Sequence, residues 1–413
     1  MASHICSGCI EDIFLKATVD KEGLPAKCDA CGVEQLKSIT ISRLGEILEP
    51  ILRDLLALGD EVRHFSSEDD ENGHLEEEGD DLDYFVQDVL GQYFDFNDEI
   101  VESVIDAEGC WPPDGDEAFF STAHSYVRLY ASDQNHATTW RHLDREIRQT
   151  RRFFSFKVKD FFDELFSDIE TLLTYAERTR DDGILVQFLP AGSPFYRSRI
   201  CDSDGLRRRM IEQPYKHVGP PPQGSARAGR MNADGISLFY GARELETCLA
   251  ELRPALRVET GTITVETTKP LRVLDFTRFE NAKKSLSYFQ PDYKQQAARF
   301  AFLRQLGNLI SRPVIPGHEA EYFITQAMTE YLAHEHSNPF DGLFYPSAQR
   351  AEGTNVVLFP QPTPKGIKFP AKYKDGSIIF HRTSQIEYKH KELAPRLGAK
   401  GVEPDWEWWE DQD

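Results

Sequence analysis

Two sets of residues in this sequence are of types and spacings that can do chemistry. The first is a cysteine quartet, Cys6-x-x-Cys9 and Cys28-x-x-Cys31, with eighteen residues between the pairs. Each Cys-x-x-Cys turn can aim two thiolates at one ion, and the intervening stretch is long enough for a small hairpin that brings the pairs into a tetrahedron. Four sulfur ligands close the coordination shell and leave no position for a substrate, so the expected role is a structural Zn²⁺ site. The competing reading, two redox or incidental cysteine pairs, fits the regular spacing less well. Cys110, Cys201 and Cys248 lack such partners in sequence and read as buried small hydrophobes.

The second set lies in the run from Gly229-Arg230-Met231-Asn232 through Tyr240 to Glu251. It places a guanidinium at the end of a Pro- and Gly-rich loop, Pro214 to Gly229, a phenol at the end of a short strand and a carboxylate one helix later. Arg230 can grip phosphate oxygens in a bidentate fork that Lys cannot imitate. Tyr240 can stack or donate a hydrogen bond. Leu245, Cys248, Leu249 and Leu252 form the expected buried face of the helix, with Glu251 on its flank. Taken singly, each has a plainer reading: a surface ion-pair partner for Arg230, strand filler for Tyr240 and an ordinary exposed helix residue for Glu251.

The elements that must position these residues follow from apolar periodicity. From Ile41 to about Tyr175 the pattern is helical. Ile41, Leu44, Ile47, Leu48, Ile51, Leu52 and Leu55 form one stripe despite Pro50. The run from Phe153 to Leu173 predicts one long helix with its aromatic residues in a bundle core. Asp83 to Asp106 and His136 to Thr150 also read as helical, with Trp111-Pro-Pro-Asp-Gly as a break. Residues 68–83 hold ten acids and no Lys or Arg, the pattern of a solvated loop between helices.

Beyond Arg178-Thr-Arg-Asp-Asp-Gly the character changes to a mixed α+β pattern. Strands are expected at Ile184–Phe188, Ile236–Tyr240, Gly261–Val265, Leu271–Phe276, Gly342–Tyr345 and Val356–Phe359, and helices at Ala242–Leu252, Pro291–Ile310 and Glu319–His334. The fold class is therefore α+β, in four segments: a zinc ribbon over 1–35, a helical region over 36–182, a mixed α+β domain over 183–362 and a carboxy-terminal extension over 363–413. The tail from Lys400 combines Trp406, Trp408 and Trp409 with six acids and is expected to pack against the body, because three exposed indoles would be adhesive.

Composition bounds the function. At 413 residues the chain suits two folded units with small attachments, and 40% hydrophobic residues suffice for ordinary cores. The formal charge of −22 argues against nucleic acid as a general partner. No apolar run is long enough to span a bilayer, and the amino terminus lacks a signal-like stretch, so the expected location is cytoplasmic. A homo-oligomer stays open.

The second residue set resembles the RES family, named for an Arg, a Glu and a Ser, whose members look like ADP-ribosyltransferase relatives that consume NAD⁺. The family's Gly-Arg-aromatic-Asn pattern is met by Gly229-Arg230-Met231-Asn232, with Met in place of the aromatic residue. Its Tyr and Glu fall at Tyr240 and Glu251, and its Ser at Ser347 in Asp341-Gly-Leu-Phe-Tyr-Pro-Ser347. The flanking blocks Phe195-Tyr196-Arg197-Ser198-Arg199 and Gly353-Thr-Asn355-Val-Val-Leu-Phe359 match as well. The helical region, with Arg128 and His136, is similar to the amino-terminal part of HEPN/RES-type proteins. Seven residues separate this Arg and His, a departure from the four to six of HEPN ribonucleases that argues for an accessory or sensing module.

The resemblance implies an ADP-ribosyltransferase-like domain with Arg230, Tyr240, Glu251 and Ser347 as catalytic residues and Tyr196, Arg197, Asn232 and Asn355 as NAD⁺-binding residues. NAD⁺ is then a consumed substrate, in keeping with the absence of a Gly-x-Gly-x-x-Gly fingerprint after a strand. Departure of nicotinamide leaves an oxocarbenium-like ribose, which a carboxylate stabilises without a strong general acid. The expected function is that of an NAD⁺ glycohydrolase or phosphorylase acting as a toxin or antiviral defence effector, with an antitoxin or defence-system protein as partner. The alternatives are protein ADP-ribosylation and, from a different class, a HEPN-type ribonuclease or binding module.

Overall fold

A computed structural model describes residues 3–64, 74–109, 118–129, 134–176, 181–283, 286–311, 319–364 and 366–386 and the short strands at 396–398 and 401–403. The chain divides into two units: Met1–Val186 with Arg278–Ile310, and Gln187–Thr277 with Ser311–Asp413. Cys110, the Trp111-Pro-Pro-Asp-Gly break, residues 68–73 of the acidic run and the three tail tryptophans lie outside the described residues. No helix among the described residues is long and apolar enough to cross a membrane.

In the first unit, strands His4–Cys6, Glu34–Thr40 and Leu24–Lys27 form an antiparallel sheet with the longest strand in the middle. The stretch between the cysteine pairs holds a helix, Ile13–Glu22, where a hairpin is expected. Asp12 explains it: its Oδ1 accepts from the Phe14 and Leu15 amides, each at 2.9 Å, and caps a helix that buries Leu15 and Val19 one turn apart. The helix Ile41–Leu55 follows, capped by Thr40, and runs through Pro50 as its stripe predicts. Leu44, Leu48 and Leu52 are fully buried in one core with Val86, Ile100 and Val104.

The helix expected over 83–106 is two, Leu82–Leu90 and Asn97–Ala107, because Gly91 adopts φ +71° and ends the first. The end of the acidic run, His74–Glu77, is a strand paired with Glu61–His64, not loop. The long helix expected over 153–173 is only Phe156–Leu165. Val158, Phe161, Phe162 and Leu165 are buried as expected, but Phe153 and Phe154 precede the helix and are each 84% exposed. The apolar spacing carries on past the helix's own ends, so periodicity alone overextends it. Trp140 of the helix Gln134–Gln149 packs on Phe162 and on Phe302 of the helix Tyr293–Ser311. In that last helix Arg299 is buried, donates to the Leu165 carbonyl at 3.1 Å and pairs with Asp168.

The second unit is built on one mixed sheet. Its order is Val186–Leu189, Leu271–Asp275, Gly342–Pro346, Thr354–Leu358, Phe239–Ala242, Pro194–Cys201, Glu259–Thr267, with Ala371–Tyr373 and Ile379–Arg382 both paired to the last-named long strand. These final two strands fall where an extension outside the domain is expected. The nine-residue strand Glu259–Thr267 offers an edge that both fill. Pro214–Val218 is a short helix inside the expected loop, and Asp204–Glu212 a second helix before it.

Strand parity gives the sheet two faces. Phe195, Phe239, Ile263, Val265, Phe344, Val356 and Leu358 share one core with Leu206, Met210 and Val218 of those two helices. Gly261 belongs to that face, where a Cβ would meet the Met210 sulfur at 2.9 Å. Registers Tyr196↔Ala242, Ala242↔Asn355 and Tyr345↔Asn355, with Tyr240 two residues from Ala242, put those five residues on the other face. The helix Leu245–Glu251 lies on that second face, its Cys248 thiol 3.2 Å from Ser198 Oγ. Its buried residues are Thr247 and Cys248; Leu245, Leu249 and Leu252 are half-buried, so the expected apolar face is narrower than the pattern implies. Cys201 is buried, as expected.

Candidate active site

Glu251 ends the short helix Leu245–Glu251, and its carboxylate is exposed. Two strands reach it. Ser347, just beyond Gly342–Pro346, donates its hydroxyl to Glu251 Oε1 at 2.5 Å, and Asn355 Nδ2, from the neighbouring strand, donates to the same oxygen at 2.7 Å. Among the described residues no protein donor meets Oε2. Ser347 is itself fixed, because its Oγ accepts from the amides of Gln349 at 3.1 Å and Arg350 at 3.2 Å. A carboxylate is thus oriented by two donors with one oxygen turned outward.

The loop before Tyr240 is held from both sides. Tyr240 Oη donates to Asn232 Oδ1 at 2.7 Å and accepts from the Met231 amide at 3.1 Å. The Asn232 amide nitrogen donates to the carbonyls of Arg227, Ala233 and Ile236 at 2.8–3.0 Å. Asn232 is buried with its polar atoms all engaged in the protein, so it shapes the loop instead of presenting an amide to a ligand. Gly229 is required at the loop's start, since a Cβ there would stand 2.7 Å from Asn232 Oδ1 and 3.1 Å from Tyr240 Oη. From the other side Gln326 Nε2 donates to the Gly229 carbonyl at 2.8 Å and Thr325 Oγ1 to the Arg230 carbonyl at 2.6 Å, both from the helix Phe323–Glu330.

This grip delivers the Arg230 guanidinium over the ring of Tyr345, 5.9 Å from its centroid. Burial pushes the phenols of Tyr240 and Tyr345 well above the ordinary tyrosine range; Arg230 opposes the rise in both, and Glu251 adds to that of Tyr345. Arg230, Tyr240, Glu251 and Tyr345 therefore form one electrostatic neighbourhood in which both phenols stay neutral at physiological pH. Tyr196 is half-buried on the same sheet face.

Arg197 departs from expectation. Its strand partner Ile263 lies in the core on the opposite face, and the guanidinium sits over the Phe239 ring, donating to the backbone carbonyls of Val218 at 2.9 Å and of Tyr240. Burial pulls its pKa below the ordinary guanidinium value. Arg197 ties the end of the Pro214–Val218 helix to the strand of Tyr240, and it does not join Arg230 in a common phosphate grip. Two clefts of about 940 and 420 Å³ are lined by other residues.

Three contributors have little sequence signal. Tyr345 reads as strand filler two residues before Ser347, and Thr325 and Gln326 act on the loop from 95 and 97 residues away.

The four cysteines also converge. Their sulfurs lie within 4.8 Å of one another, with Cys6 to Cys31 at 4.0 Å and Cys9 to Cys28 at 3.9 Å. Thiolates bound to one zinc at about 2.3 Å stand about 3.8 Å apart, so the quartet is positioned to bind a metal ion. Arg128 and His136 do not make a paired site: Arg128 donates to Tyr288 Oη at 2.7 Å and pairs with Asp88, while His136 is buried beside Phe161 and Phe302.

Comparison with family models matches residues 196–381 to the RES domain, a range that contains all eight candidate residues and is less than half of the chain. The match extends beyond residue 362 through the edge strands, and it does not reach the helical region, so the HEPN resemblance gains nothing from it. Neither a curated protein nor a solved structure matches the chain.

Proposed function

With residues 196–381 forming a RES domain, we propose that this protein cleaves the nicotinamide–ribose bond of NAD⁺. The observation that carries the proposal is the Glu251 carboxylate, aimed by Ser347 and Asn355 through one oxygen with the other left for a ligand. The bond broken joins the ribose anomeric carbon to the pyridinium nitrogen; its electron pair returns to the ring and neutral nicotinamide leaves. The carboxylate stabilises the oxocarbenium-like ribose or holds a ribose hydroxyl, and water then attacks the carbon and loses a proton. Arg230 holds the pyrophosphate, with Tyr345 as the surface beside it. Tyr240 and Asn232 act as positioning residues through the loop, while Arg197 braces the fold through the Val218 and Tyr240 carbonyls. Phosphate in place of water would make the enzyme a phosphorylase, and a protein nucleophile would make it an ADP-ribosyltransferase.

Purified protein incubated with NAD⁺ should release nicotinamide, and Glu251→Ala should abolish release while circular dichroism and melting stay those of the parent. Equal release from both proteins would remove Glu251 from the chemistry. Adenine-labelled NAD⁺ leaving its label on protein would assign the transferase reading. The quartet is proposed to hold a structural Zn²⁺, so metal analysis should find one zinc per chain, lost in Cys28→Ala. An enzyme that depletes NAD⁺ is proposed to act as a toxin or defence effector restrained by an antitoxin protein.

A further inference from the structure

Another surface, remote in sequence from the RES domain, carries chemistry of its own. Residues 141–159 hold seven Lys or Arg against two acids, in a chain whose formal charge is −22. Phe153 and Phe154, between the helices Gln134–Gln149 and Phe156–Leu165, and Phe156, which opens the second, are 84, 84 and 78% exposed. Three neighbouring rings left this open are uncommon on a surface that only meets water.

Beside them lies a cleft of about 420 Å³, lined by His142, Arg145, Gln149, Thr150, Arg151 and Lys157, together with Glu146. That volume lies within the range of about 300–1,000 Å³ that holds small ligands. Residues 142, 145 and 149 share one helix face. Glu146 is engaged with the fold: its Oε1 accepts from Ser155 Oγ at 2.9 Å and its carbonyl from the Thr150 and Arg151 amides at 2.9 Å. Arg145, Arg151 and Lys157 are exposed and make no side-chain bond to the protein among the described residues. Arg148 and Lys159, by contrast, are paired with Asp144 and Asp163.

We propose that this turn binds single-stranded nucleic acid, with Arg145, Arg151 and Lys157 on backbone phosphates and Phe153, Phe154 and Phe156 as stacking platforms for unpaired bases. Cations interleaved with open rings fit a strand whose phosphates and base faces alternate. A duplex hides its base faces, and a flat lipid surface would leave the concave, hydrogen-bonding cleft unused. The charge argument against nucleic acid concerns the chain's sum, whereas recognition is set by the local field within about 10 Å.

The test is fluorescence anisotropy of the full chain with a 5′-labelled 20-nucleotide oligouridine. Three phosphate contacts predict a logarithmic salt slope of about −2, or about a 20-fold weakening from 50 to 200 mM salt. Phe153→Ala/Phe154→Ala/Phe156→Ala should weaken binding at least tenfold and leave the salt slope intact, while Arg145→Glu alone should lower both affinity and slope. All four side chains are exposed, so both variants should melt with the parent. No binding at 50 mM salt, equal binding by the parent and both variants, or an equal affinity for a duplex of the same length would overturn the proposal. So would capture by anionic phosphatidylglycerol vesicles without oligonucleotide binding.

Discussion

The two faces of the sheet in the second unit are cut from the same strands, and each receives an arginine. On one face Arg197 is enclosed among Phe239, Val218 and the core, and spends its donors on backbone carbonyls. On the other, the main chain of Arg230 is held through Thr325 and the Gly229–Asn232 turn, and its guanidinium lies over Tyr345, whose phenol also feels the Glu251 charge. The residue type is the same in both. What separates the two is what each guanidinium meets: the apolar core over Phe239 for Arg197, and the ring of Tyr345 on the other face for Arg230.

The sharpest break between the faces should come from Glu251→Gln, which keeps the shape that Ser347 and Asn355 grasp but removes the charge. Nicotinamide release should fall by about 10²–10³ with little change in melting temperature; a loss under threefold would mean that the carboxylate is not the charge that matters. Ser347→Ala removes one of two donors to Oε1 and should cost about tenfold in kcat/KM, measured by the same release, with Asn355 retaining part of the orientation. On the opposite face the signs reverse. Arg197→Met leaves two carbonyls unsatisfied, a penalty of about 1–3 kcal/mol each, so thermal denaturation should shift down by several degrees while release per folded molecule changes by less than threefold. An unshifted melt with greatly reduced affinity for NAD⁺ would return Arg197 to the binding site. The smallest effect concerns pH. Because burial raises both phenols above their ordinary pKa, each stays protonated as the pH rises from 7 to 9, and release should be flat there. A falling limb below pH 10 that disappears in Tyr240→Phe would show a phenol ionising within the working range.

The same comparison marks how far the residue pattern is legible before the structure. Tyr240, Glu251, Ser347 and Asn355 carry a spacing that points to one site, and the structure brings Glu251, Ser347 and Asn355 within hydrogen-bond reach. The side that Arg197 faces is not legible, because Phe195-Tyr196-Arg197-Ser198-Arg199 lacks apolar alternation and its strand goes unrecognised, so its parity cannot be assigned. The edge strands Ala371–Tyr373 and Ile379–Arg382 have only three and four residues, too few for alternation to show. The stripe of Ile41–Leu55 is legible because period, cap and burial agree, whereas the Phe153–Leu173 run misleads because apolar spacing outlasts the helix.

The route of the chain has a practical outcome. Arg278–Ile310 is counted with the amino-terminal unit although the residues on both sides of it are not. A single scission near residue 186 would therefore leave the amino-terminal body without that segment and the carboxy-terminal body still carrying it. The carboxy-terminal fragment would carry away the helix Tyr293–Ser311 with Arg299, Phe302 and Leu306 stripped of the neighbours that now bury them, and such a fragment should self-associate or be digested. The two halves are bound by inheritance of sequence as well as by folding, and neither could be exchanged between proteins at one junction.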